Sequence, residues 1–378
     1  MLAELREKHL QTWLGGYLRA RVHNAAALEP SGTRHLLFAF CDHFEPLVGG
    51  VDERQGLSRV EYWRNEYPSL MRAFRDADGR PPQHSFFFPG EEYRPKFFDE
   101  LEQLIGQGAG EVELHLHHDG ATEASARAEI TGYLRTFAER GHFSRSENDQ
   151  IRYAFIHGNW ALANARPDGR WCGVDSELAL LFETGCYADF TFPAVPDISQ
   201  PNIVNQIYWP VGNLRERRAY ERGVRAKVGT SFEDRILMLQ GPLALGLREG
   251  TLKPRLEYAA VTAEDPATAS RVHRWVRQNI HVAGRPEWVF VKVHTHGALE
   301  PQAVSLLGEG GQALHRILTS RYNDGKRWKL HYVTAREMYN LARAAMDGMS
   351  GDPARYRDYL LSPPPILARR YLDTAGSS

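Results

Sequence analysis

Along most of the chain, short apolar runs alternate with longer stretches in which apolar residues recur every three or four positions. Residues 35–41 (HLLFAFC) predict a strand, and Val60, Trp63, Tyr67, Leu70, Met71 and Phe74 then fall at helical spacing. The same alternation predicts a strand over 84–88 and a helix over 96–105. Residues 111–117 alternate between two faces, and 122–140 read as a helix stopped by Gly141. A strand over 152–156 follows; Asp175 stands where a helix N-cap belongs, ahead of Leu178, Leu181, Phe182 and the terminating Gly185; 188–192 make a fifth strand. Between 193 and 264 the periodicity fades into short β-like runs at 205–209, 236–240 and 256–261, which predicts an insertion after that strand. Order returns with a helix over 266–279, the very apolar strand 288–293, further helix after Pro301 and a strand over 329–333. A last helix is opened by a Thr334/Glu337 capping box.

Strands alternating with helices imply a parallel sheet with right-handed crossovers, and roughly seven or eight such units predict closure into a distorted α/β barrel. The chain then divides into an N-terminal helix (1–30), a barrel (31–348) carrying the insertion 193–264, and a C-terminal tail (349–378). In such barrels the C-terminal strand ends converge on one face, where sites form. The unusual residues all stand there: Asp42 and His43, 115–119, 157–160 and 294–296 each end a predicted strand.

Composition narrows the function. With 42% hydrophobic and 25% charged residues among 378, the chain can bury a large core in one catalytic-sized domain. Lys and Arg total 46 against 47 for Asp and Glu, and the net charge of -1 gives no global attraction to nucleic acid or an anionic membrane surface. No apolar run approaches the roughly 20 residues of a membrane span. Residues 1–22 lack the apolar centre of a signal peptide, so the expected location is cytoplasmic. Cys41, Cys172 and Cys186 lack the paired spacing of a structural zinc site and read as reduced thiols.

Four segments carry chemistry. In EVELHLHHDG (111–120), His115 and His117 project to one face of a strand, and His118 and Asp119 follow in the turn. Imidazoles and a carboxylate are natural ligands of zinc and similar ions, which in catalytic sites take three protein groups and leave a position for water. In FAFCDHFEP (38–46) an apolar strand ends in Asp42, His43 and Glu45; a turn-capping Asp explains the first of these but not its neighbours. VFVKVHTHG (289–297) sets Lys292, His294 and His296 on one face, where a histidine near a metal-bound water can pass a proton. In FIHGNWALANA (155–165), His157 and Asn159 can orient an oxyanion and Trp160 can stack on a sugar, although a structural Trp is as good a reading.

The ordered motifs resemble the polysaccharide deacetylase family, defined by the NodB-homology domain, over Phe38–Gly297, about two thirds of the chain. That family carries an Asp-Asp pair after strand one, His-x-x-x-His after strand three, an Arg-Pro loop and a late Leu-His motif. Here the order is kept while the letters differ, as in a divergent branch with DHFEP, HGNWAL, CYADFT and HYVTARE motifs. The resemblance implies a barrel that removes an acyl group, first of all N-acetyl, from a carbohydrate or saccharide precursor with a metal-activated water. It also implies roles. Asp42 is the base and His43 a ligand, or, in a register shifted by one, Cys41 is the base and Asp42 the ligand. His115 is a ligand, with His117 or Asp119 as the third. His157, Asn159 and Trp160 replace the Arg-Pro loop as substrate-binding residues. His294 is the acid, with His296 a second candidate or an orienting group. The implied cofactor is a divalent metal, zinc first, with nickel, cobalt or manganese as alternatives. Two other readings remain beside it: an amidohydrolase-type barrel, whose His-x-His belongs on the first strand rather than the third, and a non-catalytic carbohydrate-binding protein on the same scaffold.

Overall fold

A computed structural model describes residues 9–25, 32–251 and 253–367. In chain order the first elements are α1 Leu10–Ala25, β1 Arg34–His43, α2 Glu53–Ala73, β2 His84–Pro89, α3 Pro95–Gly106, β3 Gly110–Leu116, α4 Glu123–Glu139 and β4 Ser144–Arg145. Then come β5 Ile151–His157, α5 Glu177–Glu183, β6 Cys186–Asp189, β7 Ile207–Pro210, β8 Gly223–Arg225, β9 Leu237–Leu239, β10 Ala244–Leu247 and β11 Pro254–Glu257. The chain continues with α6 Ala269–Arg277, β12 Trp288–Thr295, α7 Glu300–Leu307, α8 Glu309–Tyr322, β13 Trp328–Tyr332 and α9 Ala335–Met346.

The run RHLLFAFCDH has no polar face, so β1 is stable only with cover on both sides, and every residue after Arg34 is buried. It lies inside a mixed α/β sheet of order β12-β1-β2-β3-β5-β6-β9-β7-β8, with β13 also beside β1. The strands from β12 to β9 are parallel, and β7 and β8 join antiparallel. Beyond β8 the hydrogen bonding continues: Ala226 N donates to Ile207 O (2.9 Å), Ala283 N to Ala226 O (2.9 Å) and Phe290 N to Ile280 O (2.8 Å), which links the β7 end of the sheet to β12 through residues 280–283.

Strand alternation sorts the two faces. Leu36, Phe38, Phe40, Val112, Leu114, Phe155 and Val291 pack against the flanking helices, including Trp63 and Tyr67 of α2 and Phe98 and Leu101 of α3. Leu37, Ala39, Cys41, Ala154, Ile156 and Phe290 face the other way, onto Met338, Leu341 and Ala342 of α9. Every residue of α9 is buried. The N-terminal half of that inner face is thus filled by a helix, and ionisable groups occupy its C-terminal end.

Residues 193–264, expected as an insertion with short β segments, contribute strands to the main sheet. β9 pairs in parallel with β6 (Ala188 opposite Leu237), and β7 pairs with β9. Strands of three and four residues, buried on both faces, carry no periodicity to read. α1 docks on this region through Trp13 and Tyr17 against Val195, Val204 and Leu243. At Gly16 a Cβ would lie 1.5 Å from Asn202 O, so only glycine allows the approach. Residues 1–8 and 26–30 of the expected N-terminal helix and 368–378 of the expected tail lie outside the described residues. The start of that tail is docked: Arg336 Nη1 and Asn340 Nδ2 donate to Leu361 O at 2.7 and 2.8 Å, and Ile366 N donates to Gly141 O at 2.9 Å. No helix of the described residues is long and apolar enough to cross a membrane.

Asp175 does not cap α5. It accepts from Asn164 Nδ2 at 2.7 Å, and Ser176 takes the N-cap position without a side-chain bond. The Thr334/Glu337 box is present in full: Glu337 N donates to Thr334 Oγ1 (3.3 Å) and Thr334 N to Glu337 Oε2 (3.1 Å). Thr334→Ala is expected to cost about 1–2 kcal/mol, the upper part of the usual range for a lost cap because this one is buried. A urea midpoint unchanged from the parent would contradict that.

Candidate metal centre

At the C-terminal ends of β1, β3 and β12, the inward-pointing residues are His43, His115 and His294, all buried. The turn after β1 adds Glu45, also buried. His43, Glu45 and His115 each offer one ligand atom, and these atoms lie within 4.8 Å of one another. The His43 ring is 4.9 Å from His115, 4.7 Å from His296 and 6.1 Å from His294, centroid to centroid. Five histidines and a carboxylate therefore gather at one sheet end, counting His117, whose ring is 4.6 Å from His115.

The hydrogen bonds suit a cation. His115 Nδ1 is 2.8 Å from Ile156 O, which can only accept, so Nδ1 donates. In the neutral ring Nε2 then holds its lone pair, and it points at Glu45 Oε1, 3.0 Å away. Two acceptors facing each other require a proton or a metal between them. Binding the second ring nitrogen to a backbone carbonyl is also how metal-bound histidines are oriented.

The electrostatics are split across the site. Burial, reinforced by His296, His115 and His294, holds His43 far below the usual histidine range. Burial and then Lys292, His296 and Arg271 do the same to His294, whose Nδ1 is buried with no hydrogen-bond partner. Burial opposes charge on His117 too, but Glu45 and Glu91, 3.5 and 2.7 Å from its nitrogens, outweigh this and push it up to about 10. Burial would raise Glu45, yet hydrogen bonds from His115 and His117 hold it well below the carboxylate range. Burial thus keeps His43 and His294 neutral while Glu45 stays ionised, the protonation states a metal needs of its ligands.

Asp42 is not part of it. One position from His43, it points to the helix-facing side, where Oδ2 is 2.8 Å from His84 Nε2 and Oδ1 accepts from Gly297 N at 2.6 Å. Neither oxygen of Asp42, expected as ligand or base, thus faces the cluster, and the carboxylate beside His43 is Glu45. Asp119, the other expected acid, accepts from Trp171 N at 2.7 Å away from the cluster. Of the expected substrate residues, His157 turns to the helix-facing side, Asn159 is exposed, and Trp160 lines a shallow cleft with His9, Arg166 and Ile198. The signal for Glu45 was present in DHFEP, but spacing in a turn does not reveal which side chain folds back. Glu91, from the turn after β2, had no motif at all.

The loop after β5 still forms a wall of the site. A Cβ on Gly158 would lie 2.2 Å from His117 Cδ2. Gly158→Ala is expected to push His117 off its two carboxylates and to lower metal affinity about 10–100-fold, as for the loss of an orienting partner. Competition against a chelator measures it.

Deeper inside, Lys292 Nζ donates to the carbonyls of Phe190 and Phe192, the latter at 3.1 Å, and burial pushes it down to about 8 despite Cys41 and Asp189. Asp189 is pushed up to about 7 by burial, although bonds from Thr191 pull it down. A carboxyl raised in the folded state binds protons that the unfolded chain has lost, so its contribution to stability declines as pH rises from about 4 to about 7. Asp189→Asn is expected to remove that decline, and denaturation at pH 5 and pH 8 reads it as a flatter profile. A cavity of about 770 Å³ lies elsewhere, at the N-terminal strand ends beside Gln83, Gly110, Arg336 and Arg357.

Compared with known proteins, the chain matches no family model and no curated protein.

Proposed function

We propose that this protein is a metal-dependent hydrolase that removes an acyl group, N-acetyl first, from a carbohydrate or saccharide precursor, on a distorted barrel of the polysaccharide-deacetylase type. The observation that carries it is the convergence of His43, Glu45 and His115, with His117, His294 and His296 around them, at the C-terminal ends of parallel strands. The bonds from β7 through residues 280–283 to β12 support a closed ring. When bound, a zinc-class ion supplies a water acidified towards about pKa 7 and polarises the acyl carbonyl.

The protein's own groups do the rest. His43, Glu45 and His115 would hold the ion, and three protein ligands would leave a position for water. With Asp42 turned away and Glu91 engaged by His117, an imidazole is the acceptor beside the cluster. His294, kept neutral by burial and Lys292, would serve as the group that accepts a proton from water and returns it to the departing amine. Asp42 positions the site by holding Gly297 N, the residue after His296.

Metal content of the purified protein, together with acetate release from a panel of N-acetylated sugars, tests this. Zinc-class metal with release that falls by about 10²–10⁴-fold in His294→Ala is the expected result, the range for loss of a general acid–base group. A protein that binds metal and releases no acetate from any member refutes the substrate assignment; one whose first centre binds no metal refutes the whole reading.

A further inference from the structure

On the helix-facing side of the same strands a second set of groups converges. His118 follows β3, His157 ends β5, Cys172 lies in the connection to α5, and Glu177 opens α5. One ligand atom from each lies within 4.8 Å of the others. Their side chains are nearly or wholly inaccessible, with 4% exposure at His118 and none at His157, Cys172 and Glu177.

Surrounding hydrogen bonds show where the lone pairs point. His118 Nδ1 is 3.2 Å from Cys172 O, and His157 Nδ1 bonds to Gly158 O. Carbonyls only accept, so both Nδ1 atoms donate, and each neutral ring keeps a lone pair on Nε2. Both Nε2 atoms face one oxygen, Glu177 Oε1, at 2.8 Å for His118 and 3.3 Å for His157. The His157 approach lacks hydrogen-bond geometry, which leaves its buried Nε2 without a partner. Two lone pairs and a carboxylate oxygen meeting in a dry pocket repel one another unless positive charge sits among them. Cys172 Sγ accepts from Asn164 N (3.3 Å) and Val174 N (3.4 Å), and as a thiol it donates to Val174 O (3.7 Å) and to Glu177 Oε2 (3.6 Å), the oxygen that also accepts from Ala163 N at 2.6 Å; its proton is the one that a metal would displace.

We propose that this cluster is a second metal site, holding one zinc-class divalent ion through Nε2 of His118 and His157, Sγ of Cys172 and Oε1 of Glu177. Four protein ligands make it a closed, structural site with no position for a reacting water. The thiolate selects a borderline cation over magnesium or calcium. On binding, the metal–sulfur bond replaces the S–H bond and the proton leaves to solvent. One thiolate, one carboxylate and two neutral imidazoles then balance a dication. The ion has a mechanical task. The connection it fastens holds Asn159, Trp160, Ala163, Asn164 and Trp171 at positive φ, which non-glycine residues keep only where surrounding contacts enforce it. Gly158, which abuts His117, begins the same segment. The second ion therefore holds a wall of the first centre.

The test is cobalt substitution of the full-length protein, read by absorption and metal stoichiometry. A thiolate-to-cobalt charge-transfer band is expected in the parent, in Cys41→Ser, in Cys186→Ser and in His115→Ala, and it should vanish in Cys172→Ser with the loss of one equivalent of metal. No band in the parent, or a band that survives Cys172→Ser, overturns the proposal. If Cys172→Ser does not fold, His115→Ala decides: one remaining equivalent with the band supports the site, and none overturns it. A failed first centre leaves the band in place, so the two readings fall separately.

Discussion

A His115→Ala variant is expected to lose the cation of the first centre, with an affinity decrease beyond the roughly 100-fold that follows loss of an orienting partner, because His115 is the fully buried ligand that faces Glu45 at 3.0 Å. The same measurement separates two neighbouring acids. Glu45→Gln should weaken binding comparably, since its carboxylate faces both His115 and His117. Asp42→Asn should keep the metal, because its oxygens are engaged by His84 and Gly297 on the other face. Metal analysis after dialysis reads all three. Metal lost from Asp42→Asn but retained in Glu45→Gln would mean that the centre is assembled in the other register.

The largest loss of stability is expected at the opposite end of the strands. Glu111 and Arg336 are 3% and 2% exposed and joined by bonds of 2.8–3.1 Å, and Arg336 Nη1 also donates to Leu361 O at 2.7 Å. Glu111→Ala leaves a buried guanidinium that cannot shed its proton and keeps Asp358 at 2.7 Å as its carboxylate partner, and about 3 kcal/mol of destabilisation, the lower end for a broken buried pair, should follow. Arg336→Ala should cost less on the electrostatic side, because burial already pushes Glu111 upward and it can neutralise by taking a proton. Urea denaturation of both variants checks the order, and equal effects at pH 5 and pH 8 for Arg336→Ala would refute the protonation argument.

Much of the architecture was legible in the chain. The apolar runs of β1 and β12, the amphipathic spacing of α2 and the Thr334/Glu337 box are local patterns, and local patterns survive folding when burial rewards them. Less visible was the role of α9. Its capping box marked where it starts, but its burial at every residue comes from covering the inner face of a sheet whose strands lie far apart in sequence. The short strands β7 and β9 were legible as β-like runs at 205–209 and 236–240, but their pairing with the main sheet was not, because so brief a run shows no period.

The candidate site divides along the same line. Sequence alone determined that His43, His115, His294 and His296 would meet, because each ends a strand of one parallel sheet and such ends converge. Only the tertiary structure decided which carboxylate joins them. A strand's period of two makes adjacent residues face opposite ways, so a single position separates His43, inside, from Asp42, outside, and Glu45 returns from a turn that has no period. The same geometry parts His117 from His118 and gathers His157, Cys172 and Glu177 around the latter, an arrangement set by packing between distant segments and unmarked by any spacing along the chain.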